Sequence, residues 1–219
     1  MRYKCLILDH DDTCFDSTAP LHYPAHLKVM SQIRPSVKPV SLETWFIKNC
    51  EPGVTAFLTD ELGFTHDELQ YEYEVWREFV RDKIPDFFPG IPELLKSFRE
   101  KGGAISIVSH SNVEVIERIY SIKAPGLMPD LIFGWDEDPD KRKPHPWPAQ
   151  ETISRLGLKP EEALIVDDLL PGIHMAKSAG IACAAAGWGH QIPFIQDRMK
   201  GVCDYYFDSV GKLQNFLFI

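Results

Sequence analysis

The sequence has no apolar run near the ~18 residues that a membrane-spanning helix needs, so no such span is expected. It has no excess of cations either: Lys and Arg number 23 against 32 Asp and Glu, a formal charge of 23 − 32 = −9. An acidic chain is a poor electrostatic match for nucleic acid or an anionic membrane, so neither is expected as a partner. Cysteines are few, five in 219 residues, at positions 5, 14, 50, 183 and 203. They are odd in number, widely spaced and form no CxxC, which speaks against a disulfide framework or a thiolate zinc site and for a reducing cytoplasm. The first apolar run, 5–8, gives way to acids at once and is too short for the core of a signal peptide. Internal repeats and low-complexity tracts are missing as well.

What remains is ordinary globular material, 44% hydrophobic and 25% charged. That is enough apolar surface for a sizeable core, and the length allows one or two domains. Short continuous apolar runs recur at 5–8, 104–108, 131–133, 163–166 and 181–186, with a weaker one at 204–207. Runs of this length without alternation suit strands buried on both faces. Helix-like segments at 91–100, 113–122, 148–156 and 172–179 separate the later ones. Strand alternating with helix predicts an α/β chain with a parallel sheet flanked by helices.

The first connection breaks the rhythm. Residues 17–86 are far too many for a βα loop and carry helical signals at 42–48, 55–62 and 67–80. The division expected is a core of 1–16 plus 87–219 with a helical insert at 17–86. Trp45, Phe46, Phe57, Tyr71, Tyr73, Trp76 and Phe79 recur along the insert and are expected to form its own core. Pro24 lies between His22 and His26, which argues against one helix carrying both as a metal pair; both are expected on the insert surface.

Chemistry gathers where the buried runs end. Leu6-Ile7-Leu8 leads into Asp9-His10-Asp11-Asp12-Thr13, and Leu164-Ile165-Val166 leads into Asp167-Asp168. In a parallel sheet both acid clusters reach one rim, where open α/β sheets bind their ligands. Carboxylates crowded there repel by a few kcal/mol per pair, roughly, at an effective dielectric of ~20. A divalent cation removes that repulsion, and an all-oxygen donor set favours magnesium over zinc. A third strand ends in Ser109-His110-Ser111-Asn112, a hydroxyl and free N–H groups suited to an anion, or else an N-cap from Ser111 or Asn112. A loop after the run at 131–133 reads Asp140-Lys141-Arg142-Lys143-Pro144-His145-Pro146, where two prolines stiffen the chain beside Lys143.

The order Asp-x-Asp, Ser, Lys-Pro, Asp-Asp at successive strand ends resembles the haloacid dehalogenase superfamily over the whole chain. LILDHDDTCFDS resembles its first motif, AISIVSHSN the second, KPHP the third and ALIVDDLLPGIHMAKSAGI the fourth. The resemblance implies a Rossmann-like catalytic core with an inserted helical cap of type 1. It implies a magnesium-dependent phosphatase acting on a small phosphorylated metabolite. Asp9 would be the nucleophile and form an aspartyl-phosphate, with Asp11 the proton donor and then acceptor. Mg2+ would sit on Asp9, the Asp11 backbone carbonyl, Asp168 and Asp167, while Ser109 and Lys143 would meet the phosphoryl group. His10 and His110 are candidates for contact with the leaving group, or for polar packing at the rim. Lys48 and Asn49, in a loop between two insert helices, are candidates for choosing the substrate. A monomer or weak homodimer is expected.

Two positions depart from the pattern. Asp12 stands where glycine is usual, and Gly172 where many relatives carry another acid. A phosphomutase of the β-phosphoglucomutase type shares the same acids and is the main alternative. A 2-haloacid dehalogenase would not need Asp11, and a phospho-receiver module would place its acceptor Asp mid-chain.

Overall fold

In a computed structural model, which describes residues Met1–Ile219, the apolar runs become strands. The strands are β1 (Cys5–Leu8), β4 (Ala104–Val108), β5 (Leu131–Phe133), β6 (Ala163–Asp167), β7 (Ala182–Ala186) and β8 (Tyr205–Phe207); β2 (Phe15–Asp16) and β3 (Asp86–Phe87) form a separate short pair. The six pair in the order β5-β4-β1-β6-β7-β8, and every pairing is parallel. Burial on both faces explains the unbroken apolar runs: β1 and β6 are covered along their whole lengths. Right-handed crossover helices are the expected cover for such a sheet. They are α5 (Ile91–Glu100), α6 (Val113–Lys123), α7 (Trp147–Arg155), α8 (Leu170–Ala179), α9 (Pro193–Val202) and α10 (Val210–Leu217). No counterpart of α9 was expected from the sequence; it opens on Pro193, whose missing N–H costs nothing in a first turn.

Register fixes the rim. Leu8, the last residue of β1, faces Ile107 on one side and Val166 on the other. The three central strands therefore end within one residue of each other, and the residues that follow them leave the sheet at one edge. The chain runs outward from β1 to β4 and β5, then returns to β6 on the opposite side of β1. The strand order thus reverses at β1, where a ligand crevice is expected in this architecture.

The chain divides into two compact units, Met1–Phe15 with Asp86–Ile219, and Asp16–Pro85. The second is helical: α1 (Tyr23–Ile33), α2 (Leu42–Cys50), α3 (Val54–Ala56) and α4 (His66–Val80). Its core joins Val29, Met30, Trp45, Phe57, Leu58, Phe64 and Val75. The aromatics expected there split: Trp45 and Phe57 are in that core, whereas Tyr71 is 39% exposed. Pro24 does not interrupt a helix but lies in the first turn of α1, where it is tolerated. His26, expected at the surface, is buried and stacks on Trp45 at 4.1 Å between ring centroids. Helix α4 opens with a capping box in which Thr65 and Glu68 bond each other's backbone N–H, and Arg34 pairs with the same Glu68. No helix of the chain is long and apolar enough to cross a membrane.

Candidate active site

The site begins where β1 stops. Asp9 still donates its backbone N–H to Val166 O at 2.9 Å, so the ladder with β6 holds its position. The chain then turns tightly, with Cys14 and Phe15 both donating backbone N–H to His10 O. Asp12 is the residue that makes this turn, with φ +55°. Aspartate tolerates that left-handed backbone better than most residues, though less well than the glycine expected in this motif.

Asp9, Asp167 and Asp168 each present a carboxylate oxygen, and the three lie within 4.8 Å of one another. All three residues are buried. Lys143 reaches into the group: Nζ is 2.6 Å from Asp9 Oδ1 and 2.7 Å from Asp167 Oδ2. Burial pushes the Asp9 carboxyl well up, against the pull of Lys143, and Asp167 and Asp11 push it further. Burial likewise raises Asp168, and Asp167, Asp9 and Asp12 add to it. Burial alone would lower Lys143, but Asp167 and Asp9 outweigh it and hold the ammonium charged. Fully ionised, the three carboxylates and one ammonium would carry −3 + 1 = −2 in a buried space, an excess that the upward shifts of Asp9 and Asp168 reflect. Asp168 Oδ2 is buried and has no hydrogen-bond partner. A hard divalent cation fits this set, which is all oxygen, carries the opposite charge and holds an orphaned acceptor. Gly172 fits as well, for a Cβ there would lie 1.9 Å from Asp167 Oδ2, so a second acid is sterically excluded.

Asp11 is oriented by the loop after β4. Ser111 Oγ donates to Asp11 Oδ2 at 2.7 Å, Ser109 Oγ donates to the same oxygen at 3.2 Å, and Ser111 N–H donates to Ser109 Oγ at 3.0 Å. Ser111 is thus not the helix cap that the sequence allowed. The residue at the N-cap of α6 is Asn112, whose side chain makes no capping bond. His110 keeps an exposed face while its Nε2 lies 2.9 Å from Lys143 O, and desolvation of the ring followed by the Lys143 charge lowers its pKa to about 4. It therefore ties the β4 loop to the lysine loop as a neutral ring.

His10 packs its ring against Phe15 at 4.7 Å and Tyr120 at 6.0 Å between centroids. Lys48 and Asn49 belong to the helical unit. There Lys48 Nζ pairs with Glu61 at 2.6 Å, and Asn49 Nδ2 donates to Trp45 O. Sequence reasoning missed Thr13, Trp188 and His190. Thr13 Oγ1 donates to Asp168 Oδ1 at 3.2 Å, Trp188 Nε1 donates to Thr13 O at 2.9 Å, and His190 Nε2 is 3.3 Å from Asp168 O. A signal for the last two existed, since they follow β7 at the same rim.

Residues 6–186 match the profile of the haloacid dehalogenase-like hydrolases. The chain belongs to that family. It is therefore an enzyme of the hydrolase class. It is 30% identical over 195 residues to a phosphoglycolate phosphatase of Aquifex aeolicus, covering 85% of this chain and 86% of the relative. It is 28% identical over 201 residues to pyrophosphatase PpaX of Bacillus cereus strain G9842, covering 86% and 85%. A haloacid dehalogenase-like hydrolase structure from Streptococcus pneumoniae superposes with a TM-score of 0.78 at 17% identity, over 99% of each chain. At that identity the likeness speaks for the fold.

Proposed function

We propose that the protein is a magnesium-dependent phosphatase that hydrolyses a small phosphomonoester through an aspartyl-phosphate. The observation that carries this reading is the buried group of Asp9, Asp167 and Asp168 around Lys143, with Asp11 two residues beyond Asp9. Phosphatase relatives support the reaction class, and five free thiols suit a cytoplasmic setting. The helical unit takes the part of the cap.

Mg2+ would be held by Asp9, Asp167, Asp168 and the Asp11 backbone carbonyl, where it supplies charge neutralisation for the nucleophile and the phosphoryl oxygens. Asp9 attacks phosphorus as the bond to the leaving oxygen breaks. Asp11 delivers its proton to that oxygen, so the alcohol departs neutral. The carboxylate of Asp11 then takes a proton from water as water attacks the aspartyl-phosphate, releasing phosphate and restoring Asp9. Ser109 and Lys143 hold phosphoryl oxygens, a task of positioning and charge rather than covalent chemistry. Ser111 Oγ, which donates to Asp11 Oδ2 at 2.7 Å, keeps the carboxyl oriented between the two steps while the Ser109 hydroxyl turns from Asp11 to the phosphoryl group.

The test is a Mg2+-dependent screen of phosphorylated metabolites and a generic aryl phosphate, with Asp9→Asn as control. The wild type is expected to release phosphate and to fall silent in EDTA. Asp9→Asn is expected to fold and to lose turnover by at least about a thousandfold. Interconversion of sugar-phosphate isomers without phosphate release would instead make the protein a mutase. Full activity of Asp9→Asn would end the proposal.

A further inference from the structure

We propose that the turn Gly187-Trp188-Gly189-His190, directly after β7, is a positioning clamp for the Asp168 carboxylate, a role that rests on the cation reading above. The turn reaches both acid-bearing loops. From one side, Trp188 Nε1 donates to Thr13 O at 2.9 Å, and Thr13 Oγ1 in turn donates to Asp168 Oδ1 at 3.2 Å. From the other, His190 Nε2 donates to Asp168 O at 3.3 Å and lies 3.6 Å from Asp168 Oδ2. The contacts close a ring, Trp188 to Thr13 to Asp168 to His190, between residues that are 155 and 175 positions apart in sequence.

The two glycines let the turn sit where it does. A Cβ on Gly189 would lie 2.1 Å from Asp12 O, so only glycine allows the turn to lie flush against the β1 loop. Gly187 N–H donates to Phe207 O at 2.8 Å, and a Cβ on Gly187 would lie 2.3 Å from the Tyr206 ring. The base of the turn is thereby anchored to β8, at the sheet edge, and its tip bears on the two loops that follow β1 and β6.

The consequence falls on one atom. With Oδ1 held by Thr13 and the main chain held by His190, the Asp168 carboxylate has a single orientation, and Oδ2 is left buried without a hydrogen-bond partner. Groups that orient a ligating carboxylate are worth roughly 10–100-fold in metal affinity. Trp188 and His190 are positioning residues in this sense; they act through Thr13 and Asp168 rather than on a substrate.

The experiment is calorimetric titration of the metal-free full-length chain with MgCl2, in the absence of substrate. Trp188→Phe deletes one N–H and keeps a ring; His190→Phe deletes the other donor; His190→Gln keeps a donor. Trp188→Phe and His190→Phe are each expected to weaken Mg2+ binding about 10–100-fold, and His190→Gln only about threefold. Melting in metal-free buffer is expected to stay the same for Trp188→Phe, which a merely structural role would not allow alongside lost affinity. Should His190→Phe not fold, Thr13→Val removes the last bond of the same chain of contacts and is expected to show the same loss. If Trp188→Phe and Thr13→Val bind Mg2+ within about twofold of wild type while Asp168→Asn does not bind it, the clamp is refuted and the cation reading stands. A wild type that takes up no Mg2+ at millimolar concentration refutes both.

Discussion

The two units bury ionisable groups on opposite terms. At the rim of the sheet, three carboxylates and an ammonium are buried together, with Lys143 paired to Asp9 and Asp167 and no cationic side chain paired to Asp168. In the helical unit the one fully buried titratable ring, His26, is held neutral against Trp45 and Phe57, with neither nitrogen hydrogen-bonded. The ion pairs of that unit, such as Lys48–Glu61 with side chains 26% and 42% exposed, lie at its surface. Taking a charge out of water is costly, and a core built only for stability avoids it. The sheet unit accepts that cost at one place. The contrast says that its buried charges are there to act, while the helical unit is held together by packing.

The largest expected effect sharpens that contrast. Lys143→Met leaves Asp9 and Asp167 buried without their cation. Breaking a buried pair on one side costs about 3–5 kcal/mol. Lys48→Met, which removes half of a surface pair, is expected to cost less than about 1 kcal/mol. Urea denaturation of both variants at pH 7 without divalent cation measures the two. Equal losses would mean that the rim cluster is an ordinary surface network, and the argument from burial would fall. Mg2+ is expected to restore part of the Lys143→Met deficit, by supplying positive charge to the same carboxylates.

The second effect tests the helical side. Burial lowers the His26 pKa to about 4, against an ordinary value near 6.5. The folded state therefore binds fewer protons than the unfolded chain between those values. Stability is complete above pH ~6.5, falls as the pH drops toward 4, and levels off below; the full loss is about 3 kcal/mol. Glu72 in α4 works the other way, because burial lifts its carboxyl to about 7 despite the pull of His22. The difference between His26→Phe and wild type cancels that contribution. Hydrogen exchange of peptides from 16–85, at pH 7 and pH 5, is expected to show the variant more protected at pH 5 only. An equal gain at both pH values would show that packing, not protonation, is what His26 costs.

The sheet was legible in the sequence because a parallel strand buried on both faces cannot alternate, and runs such as Leu6-Ile7-Leu8 have no other simple reading. The acids at the ends of those runs were legible for the same reason, since register brings Asp9 and Asp167 to one edge. What escaped were features decided by contacts between distant loops. Ser111 looked like a cap but bonds Asp11, 100 residues away. Pro24 looked like a break yet starts α1, because a proline is harmful in a helix interior and harmless in its first turn. Trp188 and His190 carried the same signal as the other site residues, a polar sequence directly after a buried strand. The alanines of β7 simply gave no acid or hydroxyl to draw attention to it.

The smallest effect separates backbone from charge within the sheet unit. Asp12 is buried, sits at φ +55°, and raises Asp168 through its own charge. Asp12→Gly removes the Cβ from a left-handed position and one negative charge from the cluster. The first relieves a strain of order 1 kcal/mol, and the second relieves repulsion; the extra freedom of glycine in the unfolded chain offsets part of both. A net gain of about 0.5–1 kcal/mol is expected without divalent cation. Strain does not depend on Mg2+, whereas the repulsion does, because a bound cation screens it. If the gain measured by urea denaturation is the same with and without Mg2+, backbone strain accounts for it. If it vanishes on adding Mg2+, the charge of Asp12 is the dominant cost, and the turn after β1 is as comfortable with aspartate as with glycine.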